Sequence, residues 1–154
     1  MILSSECIPE WISKNSRVLD LGCGEGQLLA ELTASHGIQG LGLELDPEKI
    51  ALCLDKSLNV VQQDLNKGLS NFLNQQFDTV IMTQTLQAIR RPDLVLDDML
   101  RVGREAIVTF PNFAYIRNRL QLSLSGHMPV NPQLPNPWYD TPNIHLSTFT
   151  DFED

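Results

Sequence analysis

The sequence predicts an α/β fold built on a doubly wound, mostly parallel sheet, and three observations carry that expectation. Five apolar runs of strand length alternate with amphipathic helical patterns. The first run contains an acid, Asp20, and breaks at once into three glycines at alternate positions, Gly22, Gly24 and Gly26. Polar residues then stand at or just beyond the ends of later runs, at Glu44, Asp64 and Gln84. In such a sheet every strand ends at the same edge, and a ligand crevice opens there.

The elements follow in order. Residues 8–15 are a short lead-in of one or two helical turns around Trp11 and Ile12. Strand one is expected over 17–21 and the first helix over 26–36, where Leu28, Leu29 and Leu32 recur at helical spacing and Gly37 stops the helix. Leu41–Asp46 reads as strand two. Asp46-Pro47-Glu48 then opens a helix, with Asp46 as its cap and Ile50, Ala51 and Leu54 as its buried face. Strand three is expected over 59–62 and strand four over 77–83. A helix opening at Pro92-Asp93 buries Val95, Leu96, Met99 and Leu100 and turns Asp97 and Asp98 to water; strand five is 106–110.

The glycine turn restricts the ligand. A dinucleotide fingerprint would place its third glycine at position 27, which is Gln27, and no Walker lysine follows. Asp20 would repel a pyrophosphate and suits a ligand carrying a cation, such as the amino group of an amino acid. The glycines allow a sharp reversal and close approach to the backbone. Cys23 reads as a small residue that fits the turn, with a reactive thiol as the alternative. Glu44, 18 residues beyond Gly26, stands where a carboxylate can accept hydrogen bonds from both hydroxyls of a ribose, and Leu45 then offers an apolar face to a base.

Composition bounds the rest. A chain of 154 residues, 42% hydrophobic and 19% charged, suits a single globular domain. A net charge of −8, with no basic run beyond Arg90-Arg91, argues against nucleic acid as a partner. Cys7, Cys23 and Cys53 form no C-x-x-C pair, which fits a reducing cytoplasm. Met1–Glu6 lacks the character of a signal peptide, and no apolar run reaches the ~18 residues a membrane span needs. His127 and His145 lack metal-ligand spacing, and no metal is expected.

Beyond strand five, Phe113, Ile116, Leu120 and Leu124 mark a helix closed by Gly126. Residues 127–143 hold five of the nine prolines together with Trp138 and Tyr139, and read as a lid or docking segment, with a packed connection as the alternative. Thr150-Asp151-Phe152-Glu153 reads as a capping box opening one more helix. The expectation is a truncated domain whose exposed sheet edge invites association between copies, a homo-oligomer.

Val18-Leu19-Asp20-Leu21-Gly22-Cys23-Gly24-Glu25-Gly26 resembles the first motif of class I S-adenosylmethionine (SAM)-dependent methyltransferases. The blocks Gln84–Pro92, Phe110–Phe113 and Pro135–Leu146 narrow the resemblance to the MetW family of methionine biosynthesis proteins, over about Arg17 to Glu153. The resemblance implies a cytoplasmic bacterial protein of methyltransferase-like fold, with C-terminal strands missing from this chain. It implies SAM or S-adenosylhomocysteine as cofactor, and Asp20, Gly22, Cys23, Gly24, Gly26, Glu44 and Leu45 as binding residues. In the superfamily an acid and a backbone donor after strand three, here Asp64 and Leu65, meet the adenine, and Gln84 lies beside the cofactor's reactive end. Homoserine O-acyltransferase is the implied partner.

Two functions follow: a SAM-binding protein that supports or regulates that acyltransferase, or an active methyltransferase on a small-molecule acceptor. Methyl transfer mostly needs alignment, so no catalytic acid or base is obligatory. Asn112, Tyr139, Asp140 and His145 are candidates to line an acceptor pocket, but nothing in their arrangement singles out a base. An NAD-linked oxidoreductase is disfavoured by the glycine spacing and by Asp20.

Overall fold

The structure is a computed structural model that describes residues 7–153. The reading of Met1–Glu6 lies outside them. Among the described residues six α-helices and five strands follow in the order α1 (Ile8–Trp11), β1 (Arg17–Leu21), α2 (Gln27–His36), β2 (Gln39–Glu44), α3 (Pro47–Asp55), β3 (Val60–Gln62), β4 (Phe77–Thr83), α4 (Pro92–Val102), β5 (Gly103–Thr109), α5 (Ile116–Ser125) and α6 (Phe149–Glu153). All strand pairings are parallel, in the spatial order β3-β2-β1-β4-β5. The chain winds outward from β1 to β3 and then restarts beside β1 at β4. That reversal puts the ends of β1 and β4 at the switch point where doubly wound sheets bind ligands.

Alternation along the central strands builds two apolar layers. Leu19, Leu21, Val80 and Met82 face a core shared with Val95, Met99 and Val102 of α4. Val18 and Ile81 face the opposite side, with Ile8, Leu29, Leu32 and Cys53 from α1, α2 and α3. Covered on both faces, β1 and β4 carry consecutive apolar residues at their centres, Val18-Leu19 and Val80-Ile81-Met82, as buried parallel strands do. At the other end of these strands the Arg17 amide and guanidinium both bond Asp78, at 2.9 to 3.3 Å, and pin β1 to β4.

Several expectations need correction. Strand two ends at Glu44 rather than Asp46 and starts earlier, at Gln39. In α3 the buried residue is Cys53, while Ala51 and Leu54 are exposed. In α4 Leu100 is 66% exposed. Asp98 does not simply face water: Oδ2 accepts from the Leu69 amide at 2.8 Å, and Oδ1 pairs with Arg101 at 2.7 Å. The last capping box begins two residues early. The Thr148 amide donates to the Asp151 carboxylate, and the Asp151 amide donates back to Thr148 Oγ1. The stripe of α5 points outward, with Leu124 84% exposed, and its buried residue is Asn118. Among the described residues no helix is long and apolar enough to cross a membrane.

Candidate functional site

Because the strands are parallel, the turn after β1, the tip of β2, the turn after β3 and the residue after β4 share one edge of the sheet. Gly22, Glu44, Asp64 and Gln84 are thus brought to the same edge. The turn after β1 is held by Leu43, whose carbonyl accepts from the Gly22 amide at 2.8 Å and the Cys23 amide at 3.0 Å.

Gly22, Gly24 and Gly26 all have left-handed backbones, with φ of 74°, 56° and 75°. Their surroundings differ. A Cβ at Gly22 would lie 2.5 Å from Thr85 Oγ1, and one at Gly26 would lie 2.5 Å from Leu58 Cδ1. These two glycines make room for protein. A Cβ at Gly24 would meet nothing within 4 Å, so here the turn opens to its surroundings. Packing adds a second reason for glycine at positions 22 and 26, while Gly24 is favoured by its left-handed backbone alone and leaves room for close approach.

Glu44 is the organising side chain of the edge. Its Oε2 accepts from the Gly24 amide at 2.9 Å, and Oε1 accepts from the Leu45 and Asp46 amides at 2.8 and 3.0 Å. Three of the roughly four acceptor positions of a carboxylate are thereby used. Leu45 is exposed beside it, and Asp46 caps α3 through the Glu48 amide at 2.9 Å, as its sequence position implies.

Asp20 is 1% exposed, and its Oδ1 has no hydrogen-bond partner. Burial, and then the charge of Glu44, push its carboxyl up to about 7. A carboxylate held dry and unpaired is costly unless a cation or donor reaches it. The arrangement thus fits a ligand bearing an ammonium group, beneath a turn open at Gly24. Cys23 is not a poised nucleophile: burial raises its thiol, with Asp20 and Cys53 adding to the effect. Its side chain fills the space left by Gly42, where a Cβ would come within 2.5 Å of the sulfur.

Asp64 caps the 3-10 turn Leu65–Lys67 by accepting from the Asn66 amide at 2.9 Å and the Asn66 side chain at 3.0 Å. Those bonds hold its carboxyl below the usual range. The Leu65 side chain is buried in the core. Gln84, the first residue past β4, is exposed and has a φ of 52°, uncommon for a residue with a side chain. No hydrogen bond joins the acceptor-side candidates to one another among the described residues. Asn112 caps its own turn through the Ala114 amide at 3.0 Å, while Tyr139, Asp140 and His145 are exposed.

Three residues to which the sequence assigns no role at this edge belong to it: Thr85 against Gly22, Cys53, whose thiol donates to the Gly24 carbonyl at 3.2 Å, and Lys56, whose ammonium donates to the Glu25 carbonyl at 2.5 Å. A cavity of about 570 Å³ lies to one side, between the turn after β3 and α4, lined by Lys67, Arg90, Arg91 and Asp97. Of the candidate cofactor residues it takes in only Leu65.

The Thermotoga maritima SAM-dependent methyltransferase, described as a possible histamine N-methyltransferase, superposes with a TM-score of 0.67 at 16% identity, over 94% of this chain and 63% of that one. The YcgJ protein of Bacillus subtilis gives 0.70 at 13% identity, over 96% and 63%. A SAM-dependent methyltransferase from Archaeoglobus fulgidus gives 0.60 at 23% identity, over 84% and 64%. These likenesses establish the class I methyltransferase fold. In sequence, the bifunctional methionine biosynthesis protein MetXA/MetW of Rhodopirellula baltica is 40% identical over 161 residues. The match takes in 99% of this chain, which spans about a quarter (26%) of that relative's length. The profile of the family described as methionine biosynthesis protein MetW matches residues 4–154. On that match the chain belongs to the MetW family.

Proposed function

We propose that this chain is a SAM-binding, methyltransferase-like protein of methionine biosynthesis that supports or regulates homoserine O-acyltransferase. The observation that carries the cofactor reading is Asp20, a buried carboxylate with an unpartnered oxygen beneath a glycine turn open at Gly24. In this reading Asp20 attracts the ammonium group, and the backbone of Gly22, Cys23, Gly24 and Gly26 allows close approach. Glu44 receives a ribose hydroxyl at the acceptor position its Oε2 keeps free, Leu45 covers the adenine face, Asp64 and Leu65 meet its edge, and Gln84 lies toward the reactive end. When bound, SAM supplies an electrophilic methyl group on a sulfonium. The fold and family of the relatives support that choice of ligand.

The partner reading is supported by the relative in which a MetW part is joined to a MetXA part in one bifunctional chain. Exposed apolar surface on this chain gives such a partner somewhere to dock: Ile116, Leu120 and Leu124 on α5, and Trp138 and Tyr139 in the proline-rich segment. The protein is expected to co-elute with homoserine O-acyltransferase and to change its rate, with a further change when SAM is added. Separate elution and an unchanged rate overturn the partner reading. Transfer of label from SAM to a homoserine-pathway metabolite would favour the active methyltransferase instead.

A further inference from the structure

We propose that Gln87 is a positioning residue that couples the candidate cofactor site to the segment 127–147, so that a ligand at the strand tips changes how firmly that segment is held. The inference rests on the cofactor reading above and assigns it an output.

Gln87 lies in the 3-10 turn Leu86–Ala88 just past β4 and is 7% exposed. Its side-chain Nε2 donates to the Gln84 carbonyl at 2.8 Å. Its own carbonyl accepts from the Ile144 amide at 2.9 Å and the His145 amide at 3.0 Å. Between Gln84 and Gln87, Thr85 stands against the Cα of Gly22. The glycine turn, the tip of β4 and the far end of the proline-rich segment therefore meet within the four residues Gln84–Gln87, with Gln87 bonded to two of the three.

Two features make this junction responsive. Gln84 holds a left-handed backbone with φ 52°, a conformation sustained only while its surroundings enforce it. The amide oxygen of Gln87, Oε1, is buried without a donor; among the described residues the other such side-chain atom is Asp20 Oδ1. An unmet buried acceptor is a standing cost, and a ligand that shifts Gln84 or supplies a donor alters the balance at Gln87. By linkage, whatever holds residues 144 and 145 more firmly also favours the ligand. Trp138 and Tyr139, each 74% exposed and stacked edge to face, ride on the same segment. Occupancy of the site is thereby made visible on the surface.

Hydrogen exchange tests this, with S-adenosylhomocysteine as probe and calorimetry run in parallel. Saturation is expected to slow exchange at the Ile144 and His145 amides by about fivefold or more, the lower end of ordinary site-to-site coupling. The Gln87→Met variant, which keeps the bulk and removes the amide, is expected to bind the probe but lose that protection. Binding heat with unchanged exchange overturns the coupling and leaves the cofactor reading standing. Absence of binding heat overturns both. Protection that persists in Gln87→Met overturns the role of Gln87. Should that variant fail to fold, Trp138 emission in a Trp11→Phe background reads the same coupling: a shift on adding the probe supports it, and an unchanged spectrum overturns it.

Discussion

The Gly24 amide donates to Glu44 Oε2 at 2.9 Å, so the last residue of β2 holds the open middle of the turn that follows β1. The other carboxylate oxygen holds the Leu45 and Asp46 amides, and with them the start of α3. One side chain thus holds two backbone segments of the candidate site. Glu44→Ala is expected to release all three amides and cost about 1–3 kcal/mol, moderated because the site is partly solvated. Thermal unfolding checks the stability. Calorimetry with S-adenosylhomocysteine is expected to show affinity at least about tenfold weaker, equivalent to roughly 1.4 kcal/mol.

The glycines of the turn are expected to separate by experiment. Gly22→Ala combines a left-handed backbone with a Cβ 2.5 Å from Thr85 Oγ1, a branched side chain with little freedom to move. A loss of about 2–4 kcal/mol is expected in denaturant unfolding. Gly24→Ala meets no atom and bears only the backbone cost of about 1 kcal/mol. That variant is expected to fold and to lose ligand affinity instead. Equal destabilisation by both changes would contradict the distinction.

Asp20 sets a pH dependence whose sign follows from its raised folded value. Its carboxyl moves from 3.8 to about 7 on folding. Between those values the folded chain keeps a proton that the unfolded chain releases. The contribution of this group to stability therefore falls as pH rises from about 4 to about 7, then levels off. Asp20→Asn is expected to match the parent near pH 4 and to exceed it at pH 8. The gain has a ceiling of about 4 kcal/mol, reduced by the new amide's own burial. A cationic ligand is expected to bind the parent more tightly as pH rises through 7. Unfolding curves and calorimetry across that range check both statements.

Cysteine labelling tests the packing of the turn. Cys23 and Cys53 are buried, and both thiols lie against the Gly24 carbonyl, at 3.9 and 3.2 Å. Burial raises the Cys23 thiol and leaves little thiolate. Iodoacetamide is expected to modify partly exposed Cys7 in the native protein, and Cys23 only on unfolding, as read by peptide mass. Early modification of Cys23 would contradict the burial described here.

Much of the sheet was legible because its signals are local. The run 77–83 is bounded and centred on Val80-Ile81-Met82, Gly37 and Gly126 stop their helices in left-handed conformations, and Asp46 caps α3 beside Pro47. What escaped depends on distant partners. Apolar residues at 50, 51, 52 and 54 leave the face of α3 ambiguous, and it is settled by Cys53 fitting against Gly26. Asp98 looks like a solvated helix acid until Leu69, 29 residues earlier, places an amide on it. Within the site, Asp20, Glu44 and the glycines stand out by residue type and spacing. Thr85 and Gln87 carry no such pattern, because their roles come from where β4 delivers the chain.

The most direct test of the central claim is calorimetric titration with S-adenosylhomocysteine, with NAD alongside, for the parent chain and Glu44→Ala. The account predicts binding of about micromolar strength for S-adenosylhomocysteine, weakened in Glu44→Ala, and no comparable heat with NAD. Absence of heat with S-adenosylhomocysteine, or equal binding of NAD, would contradict it.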